Sequence, residues 1–139
     1  MVDDGDREGA GPLTGTQRRR AQGAVVAAAV GDALGAPYEF QAPLLADEDV
    51  GMIGGGVLGW APGEWTDDTA MAVVVLDAAR NTPGHDLRAG TALDQIAREW
   101  CAWSIGTRDI GSLTSFVVQR AVEHAQSDER SLPQGADFR

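Results

Sequence analysis

Residues 67 to 80, Asp67-Asp68-Thr69-Ala70-Met71-Ala72-Val73-Val74-Val75-Leu76-Asp77-Ala78-Ala79-Arg80, decide the fold class. Small and apolar side chains fall on almost every side of a helical wheel, so the segment reads as an α-helix buried nearly all round. Upstream, Ala21, Ala24, Val25, Ala28, Ala29 and Val30 give a second helix of the same character, from about Thr16 to Leu34. Gly35 and Pro37 stop it. Between the two helices, Ala36 to Trp65 holds Pro37, Pro43, Pro62 and a glycine cluster, which predict a structured loop. Downstream, after the break Asn81-Thr82-Pro83-Gly84, the positions Leu93, Ile96, Ala97, Trp100 and Trp103 recur at helical spacing, with Asp94, Arg98 and Glu99 opposite. This third helix is amphipathic, and Gly106 ends it. Asp109 is the expected N-cap of a fourth helix reaching about Ala125, with Ile110, Leu113, Phe116, Val117 and Ala121 facing inward. Strand alternation is absent, so the expected class is all-α, a compact helical bundle over residues 16–125. Residues 1–15 read as a disordered leader and 126–139 as a polar tail.

Composition narrows the function. The chain has 139 residues, is 43% hydrophobic and carries 21 acidic residues against 11 basic ones, all arginine, for a net charge of -10. That balance argues against general nucleic-acid binding and against anionic membranes. The single Cys101 offers no intrachain disulfide, and no Cys/His cluster has zinc spacing. Arg18-Arg19-Arg20 followed by the apolar run Ala24 to Val30 imitates a signal peptide, but acids precede the arginines and Asp32 interrupts the run. Nothing approaches the roughly 18 consecutive apolar residues of a membrane span. The expectation is a cytoplasmic protein without a membrane segment.

Two motifs concentrate chemistry. In Glu64-Trp65-Thr66-Asp67-Asp68-Thr69 a Gly/Pro loop delivers two adjacent carboxylates and two hydroxyls to the start of an apolar helix. Capping explains part of it, with Thr66 as N-cap and the acids facing the positive end of the helix dipole. Two adjacent acids repel, however, and a hard divalent cation that takes oxygen ligands is the other explanation. In Gly31-Asp32-Ala33-Leu34-Gly35-Ala36-Pro37-Tyr38-Glu39-Phe40 the acid Asp32 lies at the unfavourable end of a helix dipole. It calls for a local partner, a bound ion or solvent exposure. Glu39, between two aromatic residues, is either a solvated loop residue or a carboxylate of altered pKa suited to general acid or base work. Gly54-Gly55-Gly56-Val57-Leu58-Gly59 matches the letters of a dinucleotide-binding fingerprint without its strand and helix, so these glycines read as loop backbone that can approach a ligand closely. Cys101 lacks an assigned base, and His85 and His124 sit far apart in sequence and read as surface residues.

Taken together, GAVVAAAVGDALGAPYEF at 23–40, GGGVLGWAPGEWTDDTAMAVVVLDA at 54–78 and the looser W-x-x-G-T-R-D-I-G-x-x-T from Trp103 to Thr114 resemble the ADP-ribosylglycohydrolase family, which includes the dinitrogenase-reductase-activating glycohydrolases. The resemblance implies an all-helical hydrolase with a pair of Mg²⁺ or Mn²⁺ ions, and it favours Thr66, Asp67 and Asp68 as metal ligands. It also implies catalytic roles for Glu39 and Asp109, and substrate contacts for Asp32, Gly54, Gly55 and Gly56. The expected substrate is an ADP-ribosylated protein or an ADP-ribose derivative. The family's later Asp-x-Asp-Thr motif is absent from these 139 residues, so the chain resembles the N-terminal half of a member and a complementing C-terminal half is an expected partner. The rival expectations are a noncatalytic remnant that binds ADP-ribose or a partner protein, and a plain structural helical domain that leaves the acids exposed.

Overall fold

The structure, a computed structural model, describes residues 12–44 and 49–127, and the side chains as far as His124. Four helices account for most of them: α1 (Gly15–Gly35), α2 (Asp67–Asn81), α3 (Gly90–Ser104) and α4 (Ser112–Ser127). Among the described residues there is no strand, only an isolated antiparallel bridge between Gly55 and Trp60. The all-α class is therefore correct. None of the helices is long and apolar enough to cross a membrane.

Local sequence explains the ends. Thr14 caps α1 in a reciprocal box: its hydroxyl accepts from Gln17 N at 3.3 Å, and the Gln17 side chain accepts from Thr14 N at 2.8 Å. Helix α1 therefore starts inside the segment read as leader, whose residues 1–11 lie outside the described region. Pro37 opens a 3-10 turn, Ala36–Tyr38, that turns the chain out of α1. Thr82 closes α2 by donating both its backbone N–H and its hydroxyl to Ala78 O. The last helix begins at Ser112, three residues beyond Asp109, so Asp109 is not its N-cap. Beyond Ser127, the tail lies outside the described residues.

Helix α2 packs most extensively on α3, α3 on α4, and α1 meets α2 more sparingly. The Trp100 indole N–H donates to Met71 O at 3.2 Å and ties α3 to α2. The buried apolar residues are mostly small: Ala33, Ala36, Ala78 and Ala92, with Trp60 and Val118. Small side chains let helices approach closely, but they also limit how much each helix can cover.

That limit corrects the expected burial. On α1 only Ala33 is buried, and Val25, Val26 and Val30 are exposed, Val26 by 62%. On α2 only Thr69 and Ala78 are buried, with Val73 and Leu76 exposed. Leu93 and Ala97 of α3 also face outward, while Ile96, Trp100 and Trp103 are half-buried. On α4 the expected inward face is reversed. Leu113, Phe116, Val117 and Ala121 are exposed, whereas Val118 is buried and Thr114, Ser115 and Val122 are half-buried. Among the described residues α1 and α4 each pack on one helix and α2 and α3 on two, so an all-round apolar surface is only partly covered.

The loop before α2 is fixed by its own backbone. Gly55 and Trp60 exchange N–H···O bonds of 2.7 and 2.8 Å around a turn. Tyr38 pins the approach by donating to Gly51 O at 3.0 Å and accepting from Gly51 N at 2.9 Å. The glycine segment thus stays a loop without a preceding strand, as its sequence context predicts.

Candidate active site

The centre of the site is the junction of α1 and α2. Thr66 is the N-cap residue of α2 by position, yet its side chain makes no cap bond to its own helix. The cap comes from α1. One carboxylate oxygen of Asp32, Oδ2, accepts from Thr66 N and Thr69 N, both at 3.0 Å, and from the Thr69 hydroxyl. The other, Oδ1, accepts from the Thr66 hydroxyl. A carboxylate at a helix N-terminus satisfies orphan amides and meets the positive end of the dipole, which explains an acid in the last turns of α1. Of the three explanations its position left open, the local partner is the observed one. Burial works against the Asp32 charge, but the hydrogen bonds from Thr66 and Thr69 outweigh it and hold the group below its ordinary pKa.

The capped helix aims its first-turn acids at a cleft of about 1590 Å³. One end of the cleft carries Asp32, Glu39, Thr66, Asp67, Asp68 and Thr69, and the rest is the apolar flank of α1 and α2, including Val25, Val30, Val73 and Leu76. Its volume exceeds the roughly 300–1,000 Å³ of a typical ligand pocket, as expected for a trough open on one side. Trp65, 55% exposed, stands at its edge. The chain turns out of the site immediately after Glu39, at Phe40, whose φ of 61° is costly for a bulky side chain.

Charge in the cleft is one-sided. Partial burial raises the pKa of Glu39, and the carboxylates of Asp67, Asp68, Asp109 and Asp32 raise it further. Asp67 is raised by burial and by Asp109 and Asp68, partly offset by hydrogen bonds from the Asp68 backbone and the Thr66 hydroxyl. Asp109 is therefore within electrostatic reach of both, although it does not line the cleft. Its carboxylate accepts from the Thr107 hydroxyl. The adjacent Arg108 points elsewhere: it pairs with Glu64 at 2.6 Å and lies 4.3 Å over the Trp60 ring.

The structure brings Glu39, Thr66, Asp67, Asp68 and Asp32 together, with Asp109 nearby. It does not bring Gly54, Gly55 and Gly56 to the cleft wall. A side chain at Gly54 would come within 2.6 Å of Trp60 O, and one at Gly56 within 2.8 Å of Pro37 O, so their close approaches are to the chain's own backbone. Gly55, at φ 83°, faces open space. Asp32, expected among the substrate contacts, has both oxygens engaged by protein donors. Thr69, one of the two hydroxyls of the motif, and Arg108 had no role assigned from the sequence. The T-x-x-T spacing of Thr66 and Thr69, which places both on one turn, was the available signal for the first; Arg108 left none.

The donor set is all hard oxygen, the chemistry of Mg²⁺ or Mn²⁺. Thr66 Oγ1 and Asp67 Oδ1 lie 3.4 Å apart, near the spacing of roughly 3 Å between neighbouring oxygens around an octahedral ion with ~2.1 Å bonds. Among the described residues, however, no three His, Cys, Asp or Glu side chains converge as a ready-made cage. The residues fit one side of a hard-cation shell. Burial raises the pKa of the Cys101 thiol, which suits packing rather than nucleophilic attack.

The ADP-ribosylglycohydrolase family model matches residues 13–137. The chain belongs to that family. An ADP-ribosylarginine hydrolase of Serratia proteamaculans is 44% identical over 114 residues, which are 78% of this chain and 30% of that protein. The corresponding hydrolase of Pseudomonas putida is 47% identical over 58 residues, 42% of this chain and 15% of its own length. An ADP-ribosyl-[dinitrogen reductase] glycohydrolase of Rhodospirillum rubrum is 39% identical over 90 residues, 60% of this chain and 28% of its own length. The chain thus spans less than a third of each of these relatives.

Proposed function

We propose that this ADP-ribosylglycohydrolase chain carries one side of a metal-assisted active site that releases ADP-ribose from a protein side chain. The observation that supports it most is the crowding of carboxylates at the α2 N-terminus, where Glu39, Asp67 and Asp68 line one cleft and Asp109 adds its charge. Thr66, Asp67 and Asp68 would hold the cations, and Glu39 lines the same cleft. When bound, Mg²⁺ or Mn²⁺ would neutralise these carboxylates, orient ribose hydroxyls and lower the pKa of water.

The chain's own part is positional and acid–base. Asp32 and Thr69 fix the start of α2, so the two aspartates face the cleft together. Glu39 has a raised pKa and is suited to take a proton from the water whose oxygen bonds to the anomeric carbon as the bond to the side chain breaks, that proton passing to the departing side-chain atom. The apolar flank of α1 and α2 would be covered by a complementing C-terminal half bearing the family's second acidic motif. The single cysteine fits a cytoplasmic setting. The open trough and the incomplete cage support a second reading, in which the chain by itself binds ADP-ribose or a partner without turnover.

Met1–Arg139 alone is expected to bind Mn²⁺ weakly and release no ADP-ribose from an ADP-ribosylated protein. Supplying a C-terminal half of a relative should restore Mg²⁺- or Mn²⁺-dependent release. Asp67→Asn and Asp68→Asn should each abolish it while helical content persists, since asparagine keeps first-turn capping and loses ligand charge. Undiminished turnover in the double variant would overturn the metal role.

A further inference from the structure

The α1–α2 junction holds more than a cap. A threonine hydroxyl has one hydrogen and two lone pairs, whereas an ionised carboxylate only accepts. Two backbone N–H groups, from Thr66 and Thr69, lock the Asp32 carboxylate by its Oδ2 edge at 3.0 Å each. Its Oδ1 edge is left facing the Thr66 hydroxyl, which donates to it. The contact of that hydroxyl with Asp67 Oδ1, at 3.4 Å, is longer and competes poorly for the single hydrogen. Thr66 is buried and also lines the cleft.

We propose that Asp32 is a positioning residue that sets the polarity of the Thr66 hydroxyl. The hydrogen is held toward α1, and Oγ1 turns lone pairs alone toward the cleft, ready for a hard divalent cation beside Asp67. The cation clause rests on the metal reading above, whereas the hydroxyl polarity does not.

Asparagine at position 32 isolates the effect. Its carbonyl oxygen can still accept from both backbone amides, but its NH₂ replaces Oδ1 and donates to Thr66 Oγ1. The threonine must then spend a lone pair inward and point its hydrogen at the cleft. The experiment uses Met1–Arg139 with Asp32→Asn, Thr66→Val and the double variant. In the metal-free wild type, the Thr66 hydroxyl proton should exchange slowly and show nuclear Overhauser contacts to the Asp32 methylene. Failure to find that resonance, or contacts to Asp67 instead, would overturn the proposal, and this measurement needs no variant to fold.

Mn²⁺ affinity, read from broadening of the Asp67 and Asp68 amides, should fall about tenfold or more in Asp32→Asn. Helical content and protection of the Thr69 amide should be retained. Thr66→Val should show a similar loss, and the double variant no further loss, because both changes remove the same lone pair. Unchanged Mn²⁺ affinity in Asp32→Asn, or losses that multiply in the double variant, would mean that Asp32 is only a structural cap. A wild type that binds no Mn²⁺ refutes the cation reading, while the hydroxyl contacts still decide the polarity.

Discussion

The α1–α2 junction and the outer face of α4 are built on opposite terms. At the junction, residues 34 and 37 positions apart in sequence are joined by directional hydrogen bonds, and among the described residues no buried side-chain polar atom lacks a partner. On α4, Leu113, Phe116 and Val117 stand in solvent, Leu113 by 75%, as do the valines midway along α1. A buried donor left unpaired is costly, so the polar convergence has to be complete within the residues that form it. Apolar surface carries no such directional demand and can await a partner. The difference teaches that the hydrogen bonds of the junction are completed by this chain's own residues, whereas its apolar walls are left uncovered by the described residues.

The largest test of this contrast is Asp32→Ala. It strips acceptors from two backbone amides and two hydroxyls, and unfolding in denaturant should show a loss of about 3 kcal/mol, since unsatisfied buried donors cost about 1–3 kcal/mol each and the cleft admits some water. Stability near that of the wild type would mean that the junction is not what holds α1 to α2.

A second effect is pH-dependent. Asp32 is held below its ordinary pKa of 3.8, so its contribution is present above that value and lost as pH falls through the lower folded value. Glu39 and Asp67 are held above their ordinary 4.5 and 3.8, so the folded chain binds their protons first and gains stability as pH falls from neutrality toward those values. Thermal melting should therefore pass through a maximum in mild acid and decline below about pH 4, near the model-peptide carboxylate values. Saturating Mn²⁺ should flatten the rise. Monotonic loss of stability from pH 7 downward would show that the repulsion is too weak to matter.

The smallest effect is expected where the apolar face is open. Leu113→Gln and Phe116→Gln should each change stability by less than about 0.5 kcal/mol. They should also reduce self-association measured by sedimentation. A loss of several kcal/mol from either would mean that α4 is packed on that face.

What the sequence disclosed divides along the same line. The helices and the clustering of Glu39 with Thr66, Asp67 and Asp68 were legible because helix periodicity, the Gly and Pro stops and two short motifs are local signals. The burial of α1 and the inward face of α4 were misread, because periodicity records which surfaces are apolar and not whether a neighbour is present. Asp32 was legible as an anomaly at a helix C-terminus, but its partners lie across a loop whose closure no local rule encodes. The same holds for Arg108, whose partners Trp60 and Glu64 are distant in sequence.

Two indoles five residues apart, Trp60 and Trp65, occupy contrasting settings. Trp60 is buried beneath the Arg108 guanidinium, and Trp65 stands half in solvent at the mouth of the cleft. Their light emission should divide accordingly: Trp65 red-shifted and open to a collisional quencher, Trp60 blue-shifted and sheltered, over a background from Trp100 and Trp103 on α3. The cleft therefore carries its own optical gauge, and occupancy can be followed in the unlabelled protein.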